Sequence, residues 1–598
     1  MLLRALSLSL ACALSPPLLA ADADWTTPAE ASDYARTPRY AQTMEWFQRL
    51  DEASPAASLV AFGRSPQGRA LNAVVLSSDG IASPEAARAS GKPVILLQAG
   101  IHAGEIEGKD ALMALSRELL FGADRALLEP VILVLVPIFN VDGHERFGPY
   151  NRINQNGPAE MGWRATAQNL NLNRDYIKAD APEMQAWLRL WQAWQPDLLV
   201  DLHNTDGADY QYAMTWAYET GPDIHGALGA WQRKTFDGAV KPALAKAGWP
   251  VAFYVNMQNW DDLRAGLVEG VSAPRFSTGY AAASGRAGLL LESHMVKDHK
   301  TRALATLATL REVLRAIAAD PAALKAAVAA ADGERFHADQ PVPLAFDLTA
   351  KTEAMDFLGY AETRTPSEIS GGTWVQYDQS RPETFSLPVQ REIAVTASAA
   401  APAAYLIPPQ WTAVIERLQL HGIRMQRLPA AVRVAGERHR FSKVEWAPRP
   451  FEGRHLVTTL ESSLEPVDTE VPAGSWLIDM DQPRARLAAL LLEPASGDSL
   501  VRWGFFDTIF EEKEYAEARV LERIAREMLA ADAALKREFE KRVANDAAFA
   551  GDPQARLRFF YERSPYFDQA WMRYPVIRVD QRTLGRLRQP AAGVPAAS

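Results

Sequence analysis

A histidine and a glutamate three residues apart are the first candidates for chemistry in this chain. His102 and Glu105 lie in the segment QAGIHAGEIEGK (98–109), directly after an apolar run. An imidazole and a carboxylate at this spacing, on a tight loop or the first turn of a helix, can both reach one zinc ion at about 2.0–2.2 Å. The pair alone is a weak signal, because a solvated helix turn gives the same spacing by chance.

A second apolar run ends in a histidine that could complete a metal site. His203 follows the run in LLVDLHN (198–204). Two histidines and one carboxylate leave the fourth zinc position open for water, which is the pattern of a catalytic rather than a structural site. Asp201, two residues earlier on the same strand face, could orient His203. A buried aspartate that caps neighbouring amides is an equally good interpretation of this residue.

The composition is typical of a soluble globular protein with more than one domain. The chain has 598 residues, of which 48% are hydrophobic and 23% charged, and its formal net charge is -10. This length exceeds one ordinary hydrophobic core, so we expect two or more domains. The acidic balance gives no electrostatic footprint for nucleic acid, and there is no polybasic run that would favour an anionic membrane.

The start of the chain, residues 1–21, has the pattern of a secretory signal peptide. Arg4 supplies the positive start, an apolar segment too short to span a bilayer follows, and Ala20 and Ala21 suit a cleavage site. The single cysteine, Cys12, lies inside this segment, so the mature protein would have no disulfide. A lipoprotein signal acylated at Cys12 fits less well, because its apolar segment would be very short. We expect export to the periplasm or the extracellular space, and no transmembrane segment.

Continuous apolar runs predict strands that are covered on both faces of a sheet. Helical stretches separate these runs, so the predicted fold class is α/β, with a mixed, mostly buried central sheet and helices on both faces. Ligands bind such sheets at the carboxyl ends of the strands, where polar residues follow four of the runs. The runs span 93–97, 130–139, 197–202 and 287–291, and the polar residues after them are His102 with Glu105, Asn140 with Asp142, His203, and Glu292.

Five short motifs in a fixed order carry a family resemblance. They are HxxE (His102, Glu105), GWRAT (Arg164), NLNRDY (Asn173, Arg174), DLHN (His203) and LLLESH (Glu292). Together they resemble the zinc metallocarboxypeptidase family, the carboxypeptidase A-like peptidases, and the layout is similar to that of large exported bacterial-type members. The resemblance covers roughly residues 40–316, about half of the chain. It implies a carboxypeptidase A-like fold for this half.

The resemblance also implies roles for individual residues. His102, Glu105 and His203 would bind one zinc ion per chain. Glu292 would be the general base that takes a proton from the attacking water and later delivers it to the leaving amine. Arg164 would stabilise the oxyanion as the tetrahedral intermediate forms.

Binding of the substrate's terminal carboxylate would fall to Asn173 and Arg174, because a guanidinium can hold a carboxylate through two hydrogen bonds. The chain departs from the better-known members at Asp175, where they have asparagine. Asp175 could pair with Arg174 and weaken this carboxylate binding, which would affect exopeptidase specificity more than hydrolysis itself. Tyr280 is the nearest candidate for the family's mobile substrate tyrosine, although its Gly- and Ala-rich surroundings fit a flexible loop equally well.

The resulting prediction is an exported zinc-dependent peptidase, with a peptide or peptide-like substrate. It divides the chain into a signal peptide (1–21), a zinc carboxypeptidase-like domain (22–325) and an accessory C-terminal region (340–598) that is β-rich and then helical. The favoured activity is that of a metallocarboxypeptidase. The alternatives are a zinc amidase or endopeptidase acting on cell-wall peptides, and a non-catalytic peptide-binding homologue. The last would be expected to lose Glu292 or a zinc ligand, and this chain keeps them all.

Overall fold

An eight-stranded mixed sheet forms the centre of the N-terminal part of the chain. The computed structural model describes residues 24–337 and 340–588, so the predicted signal peptide and Cys12 lie outside the described residues. The first nine strands, of which β8 belongs to a second sheet, are β1 (Ala57–Arg64), β2 (Ala70–Leu76), β3 (Val94–Ala99), β4 (Ile132–Val136), β5 (Leu198–Thr205), β6 (Met214–Ala217), β7 (Val251–Phe253), β8 (Leu267–Val268) and β9 (Ala287–His294).

The strand order explains why the predicted metal ligands meet. Neighbouring strands run β1-β2-β4-β3-β5-β9-β6-β7. β3 pairs in parallel with both β4 and β5, and β5 pairs in parallel with β9. From β3 the chain therefore first adds β4 on one side of β3 and later adds β5 on the other side. This reversal opens a crevice at the carboxyl ends of β3 and β5. The segments with His102 and His203 lie at this crevice.

Helices cover both faces of the sheet. Leu112, Leu115 and Leu119 recur at helical spacing and are buried against one face together with Leu97 and Val200 of the strands. The helices of this part of the chain are α1 (Pro28–Ala31), α2 (Tyr40–Ala53), α3 (Pro84–Ser90), α4 (Glu107–Phe121), α5 (Val141–Glu145), α6 (Pro182–Trp194), α7 (Gly226–Gln232), α8 (Lys241–Lys246), α9 (Ser277–Ala283), α10 (His299–Ala319) and α11 (Pro321–Asp332), with a π-helical segment (Arg233–Val240) between α7 and α8.

The opposite face of the sheet carries polar side chains that α9 and the chain before α6 cover. Gln98 donates to the Tyr176 hydroxyl and to Asp201, each at 2.8 Å. Trp187 and Trp191 of α6 pack with the Tyr280 ring of α9 on this side. The predicted fold class, a mixed and mostly buried sheet with helices on both faces, is confirmed.

The predicted β-rich and then helical C-terminal region is also present. β11 pairs with β12, which pairs with β8, and β10 pairs with β13. The remaining strands form a six-stranded sheet of order β15-β18-β14-β19-β16-β17. The elements of this part are β10 (Pro341–Leu348), β11 (Thr352–Pro366), β12 (Thr373–Gln390), β13 (Ile393–Ala400), β14 (Ala404–Ile407), α12 (Thr412–Leu420), β15 (Gln426–Arg427), β16 (Val432–Trp446), β17 (Val457–Val471), β18 (Trp476–Asp479), α13 (Ala485–Leu492), α14 (Ala518–Ala531), α15 (Ala533–Asn545), α16 (Ala547–Gly551), α17 (Pro553–Tyr561), β19 (Ile577–Val579) and α18 (Gln581–Leu587).

Internal contacts divide the described chain into two compact units. The first unit contains the described residues up to Ala401, together with Glu416–Arg424 and Met480–Asp498. The second unit contains Pro402–Ile415, Met425–Asp479 and the described residues from Ser499 onwards. The first unit thus extends beyond residue 340, where the sequence analysis begins the accessory region. Among the described residues, no helix is long and apolar enough to span a bilayer.

Candidate metal centre

Two imidazoles and one carboxylate converge at the carboxyl ends of β3 and β5. His102 Nδ1 lies 3.0 Å from Glu105 Oε1, and His203 Nδ1 lies 2.9 Å from Glu105 Oε2. One ligand atom from each residue can be chosen so that all lie within 4.8 Å of one another, and all three residues are buried. The structure therefore brings together the three predicted metal ligands.

The other ring nitrogen of each histidine has a partner that fixes the ring. His203 Nε2 lies 2.9 Å from Asp201 Oδ2, and His102 Nε2 lies 3.0 Å from Asn171 Oδ1. Both partners are acceptors, so each Nε2 carries the proton and each Nδ1 is directed at Glu105. Asp201 thus orients His203, the first of its two interpretations. Asn171, which the sequence reasoning missed, does the same for His102, and its place as the first letter of NLNRDY was the available signal.

This donor set fits one zinc ion. Nitrogen and oxygen ligands at about 2.0–2.2 Å from a tetrahedral zinc lie roughly 3.3 Å from one another, close to the separations found here. Burial lowers the pKa of His102 to about 4, which keeps its imidazole neutral. Burial disfavours the charged form of Glu105, but His102 and Arg152 outweigh it and hold its pKa well below the usual value. Burial disfavours the charged form of His203, but Asp201 and Glu105 outweigh it and raise the pKa of His203 well above its usual value. A neutral imidazole and an ionised carboxylate are the forms that bind zinc, so binding at His203 releases a proton.

Two glycines let a second loop pack directly on the metal-binding loop. A Cβ on Gly104, between the two ligands, would lie 2.6 Å from the Gly162 carbonyl oxygen and 2.8 Å from Arg152 Cγ. A Cβ on Gly162 would lie 2.4 Å from the Ala103 carbonyl oxygen. Only glycine fits at either position without a shift of backbone. The close packing brings the loop that carries Arg164 next to the metal centre.

Arg152 is a further residue at this centre that the sequence reasoning missed. Its Nη2 lies 3.0 Å from Glu105 Oε1 and donates to Asn204 Oδ1 at 2.8 Å. The Asn204 backbone amide donates to Glu105 Oε2 at 3.2 Å, so both carboxylate oxygens are held in place. Arg152 lies in an irregular segment outside every motif, so only the three-dimensional structure identifies it.

Gly104→Ala is expected to lower zinc affinity by roughly 10–100-fold, the usual cost of disturbing the groups that orient metal ligands. The added methyl group must displace Gly162 or Arg152 and so moves Glu105. Competition with a chelator, read as zinc retained per chain, measures the effect. Gly226→Ala is the matched control, because a Cβ there meets nothing within 4 Å. Equal zinc affinity in both variants would contradict this account of the packing.

Glu292 lies in the same cleft as the three ligands. It stands opposite His203 in the parallel pair of β5 and β9, and opposite Thr215 in the antiparallel pair of β9 and β6. Its side chain is buried, and Oε2 has no hydrogen-bond partner among the described residues. Burial raises the pKa of Glu292 to about 8; His203 opposes the shift and Glu105 adds to it. A carboxylate with a strongly shifted pKa in a cleft is typical of a functional group.

The cleft has a volume of about 710 Å³, and Arg164 lies on its wall. Arg164 Nη1 is 3.4 Å from Glu105 Oε1, and 43% of its side chain is exposed. Its backbone is fixed by Asn140, whose amide donates to the Arg164 carbonyl at 3.2 Å while its Oδ1 caps α5 at Gly143. Asn140 therefore holds the Arg164 loop rather than entering the cleft, and Asp142, the other polar residue predicted after β4, pairs with Ser65 and Arg69.

Asn173 and Arg174 also line the cleft. The Arg174 guanidinium lies over the Phe276 ring, 4.4 Å from its centroid, and Nη1 donates to the Asn173 carbonyl at 2.7 Å. Asn173 Oδ1 is buried and has no hydrogen-bond partner among the described residues. Asp175 is fully buried and pairs with Lys178, so it lies away from Arg174. The ion pair between Arg174 and Asp175 that the sequence allowed is not formed.

Tyr280 does not lie where the family resemblance placed it. The side chain is fully buried and packs against the rings of Tyr176, Trp187 and Trp191, and its hydroxyl lies 3.0 Å from His421 Nδ1. The prediction of a mobile tyrosine at this position is wrong, because the ring faces the side of α9 that packs on the core. A different tyrosine, Tyr254, lines the cleft directly after β7.

Comparison with known proteins agrees with this geometry. Residues 43–228 match the family model described as zinc carboxypeptidase. Carboxypeptidase 2 of Trichophyton tonsurans is 25% identical over 512 residues, which cover 80% of this chain and 86% of that protein. Carboxypeptidase 2 of Trichophyton rubrum is 25% identical over 502 residues, covering 79% and 85%. The solved carboxypeptidase A of Helicoverpa armigera is 16% identical, covers 50% of this chain and 75% of its own, and has a TM-score of 0.36. Residues 43–228 of this chain are thus similar to the zinc carboxypeptidase family.

Proposed function

We propose that this protein is a zinc-dependent metallocarboxypeptidase that hydrolyses the last peptide bond of a peptide and releases the C-terminal residue. The observation that carries the proposal is one cleft with three functional parts: a His–Glu–His zinc site, the buried Glu292, whose Oε2 has no hydrogen-bond partner among the described residues, and a carboxylate-binding end at Asn173 and Arg174. A non-catalytic binding protein has no need for the first two parts together.

Each residue has a distinct chemical task in this proposal. His102, Glu105 and His203 would hold the zinc ion, which when bound acts as a Lewis acid that polarises the scissile carbonyl and lowers the pKa of water. The Glu292 carboxylate takes a proton from the attacking water and passes it to the leaving amine. The exposed guanidinium of Arg164 stabilises the negative charge that develops on the carbonyl oxygen.

The preference for a free C terminus comes from Asn173 and Arg174 in the cleft lining. The planar Arg174 guanidinium, stacked on Phe276, offers two parallel hydrogen bonds to a carboxylate. Asn173 adds a neutral amide beside it. Asp175, which the sequence allowed as a partner that would weaken this binding, is buried and pairs with Lys178 instead, which supports the carboxypeptidase over the amidase or endopeptidase alternative.

We propose further that the first unit holds the whole catalytic machinery and that the chain is exported. Every residue assigned a role above belongs to the first unit. The export proposal depends on the pattern of residues 1–21, with Arg4, an apolar segment and a small-residue cleavage site. It places the mature enzyme in the periplasm or outside the cell.

Removal of the metal is the direct test of this function. The purified mature protein is expected to contain about one zinc per chain, as an open three-ligand site implies, and to lose activity when dialysed against a chelator and regain it with added zinc. Activity is measured on a panel of peptides that differ in their last residue, each with a free and an amidated C terminus. We expect cleavage of the free peptides only.

Two outcomes would contradict the proposal in different ways. Chelator-sensitive cleavage that ignores amidation would replace the carboxypeptidase with an endopeptidase or amidase. Protein that binds no zinc and hydrolyses nothing in the panel would leave the fold without the proposed chemistry.

A further inference from the structure

A buried histidine far along the chain contacts both segments that form the carboxylate-binding end of the cleft. His421 is fully buried. Its Nδ1 lies 3.0 Å from the Tyr280 hydroxyl, and its Nε2 lies 2.8 Å from the Ile177 carbonyl oxygen. All three residues belong to the first unit.

The partners of His421 determine its tautomer. A carbonyl oxygen can only accept, so Nε2 carries the proton and donates to Ile177. Nδ1 therefore has a lone pair and accepts from the Tyr280 hydroxyl. Burial lowers the pKa of His421 to about 4, which agrees with a neutral ring. Both ring nitrogens are satisfied, and loss of the ring would leave two buried polar groups without partners.

The two hydrogen bonds of His421 connect it to two different segments that line the cleft. Ile177 follows Arg174 by three residues, in the turn that contains the buried pair of Asp175 and Lys178. Tyr280 belongs to α9, whose first residues line the cleft and are preceded by Phe276. Phe276 is the ring on which Arg174 stacks. His421 is thus bonded to the backbone behind the guanidinium and to the helix behind its stacking partner.

Neighbouring residues of the first unit hold this arrangement in place. Arg417 Nε donates to the Lys178 carbonyl at 2.7 Å, one residue beyond the carbonyl that His421 binds. Arg484 Nη1 donates to the His421 carbonyl at 2.9 Å. The turn after Arg174 is therefore fixed at two successive carbonyls by side chains that come from the segment 416–424.

We propose that His421 is a positioning residue that sets the Arg174 guanidinium against Phe276 and so determines how tightly the enzyme binds the substrate's terminal carboxylate. The inference rests on the proposed carboxypeptidase function. His421 touches neither substrate nor metal in this proposal. Because His421 acts through Arg174, its substitution should change KM rather than kcat.

The test compares His421→Phe, which keeps a ring of similar size but loses both hydrogen bonds, with Tyr280→Phe, which loses one. For a free peptide that the wild type cleaves, KM is expected to rise about tenfold in the first variant and less in the second, with kcat within about twofold. Tyr40→Phe is the control outside the cleft, since it also removes a tyrosine hydroxyl, which donates to the Ala70 carbonyl and accepts from the Asn72 amide. Its KM should equal that of the wild type.

A double-mutant cycle separates positioning from a merely structural role. Once Arg174 is alanine, His421→Phe should raise KM little further, because there is no guanidinium left to position. Loss of folded protein alone would lower the apparent kcat and zinc content while KM stayed constant, and that result would overturn the proposal. Additive effects in the cycle would overturn it as well. Failure of the proposed carboxypeptidase function would be distinguishable from this result, because the wild-type protein itself would then cleave amidated and free peptides alike.

Discussion

Glu292→Gln is expected to keep zinc at about one per chain and to lower kcat roughly 10²–10⁴-fold, the usual contribution of a general acid–base group. Glutamine has nearly the same shape as glutamate, so the strand pairing of β9 with β5 and β6 should persist. The amide cannot take a proton from water. The measurement is kcat on a free peptide, together with zinc content, for wild type and variant.

A second buried carboxylate provides a matched control for this experiment. Glu183 is fully buried on α6, and both its oxygens lack hydrogen-bond partners among the described residues. Burial raises its pKa to about 7. Glu183 lies outside the cleft, so Glu183→Gln should leave turnover unchanged. A zinc-loaded Glu292→Gln variant with the kcat of the wild type would remove Glu292 from its proposed role.

Arg174→Ala is expected to lower kcat/KM for free peptides by roughly 10–150-fold, which corresponds to the 1.5–3 kcal/mol of a charge-assisted hydrogen bond. Most of the change should appear in KM, because the terminal carboxylate lies away from the bond that breaks. Arg174→Lys keeps the charge but loses the planar pair of donors, so we expect an intermediate value. Steady-state kinetics on free and amidated versions of one peptide give the comparison.

The control for this variant is another arginine stacked on an aromatic ring. Arg49 lies over the Trp25 ring, 5.1 Å from its centroid, outside the cleft. Arg49→Ala should leave the kinetics unchanged. If Arg174→Ala weakened the hydrolysis of free and amidated peptides equally, Arg174 would not be the group that recognises the carboxylate.

The central sheet could be predicted because its strands are buried on both faces. Continuous apolar runs such as 93–97 and 197–202 became β3 and β5, with polar residues at their ends. His102, Glu105 and His203 were found for the same reason: strand ends and motif spacing are local properties. The residues that hydrogen-bond the two histidines were harder to predict from the sequence. Asn171 was signalled only by its place in a motif, and Asp201 had two equal interpretations.

Properties that depend on which way a side chain points could not be predicted. The spacing between Tyr280 and Glu292 matches that of the family's mobile tyrosine only loosely. The ring of Tyr280 is buried on α9 because it packs against Trp187 and Trp191, which precede it by about ninety residues. Arg152 reaches Glu105 only because Gly104 leaves space for its side chain. Neither fact has a trace in local sequence periodicity.

The contacts of His421 also bear on when this enzyme becomes active during its synthesis. The imidazole bonds to residues 141 and 244 positions earlier in the chain, so the ribosome must produce more than two thirds of the polypeptide before the carboxylate-binding end can be closed. The entropy cost of loop closure grows slowly with sequence separation, and contacts between distant residues form slowly. The zinc ligands, which span only residues 102–203, can assemble well before that. A nascent or freshly translocated chain would therefore acquire its metal first and its selectivity for free C termini last.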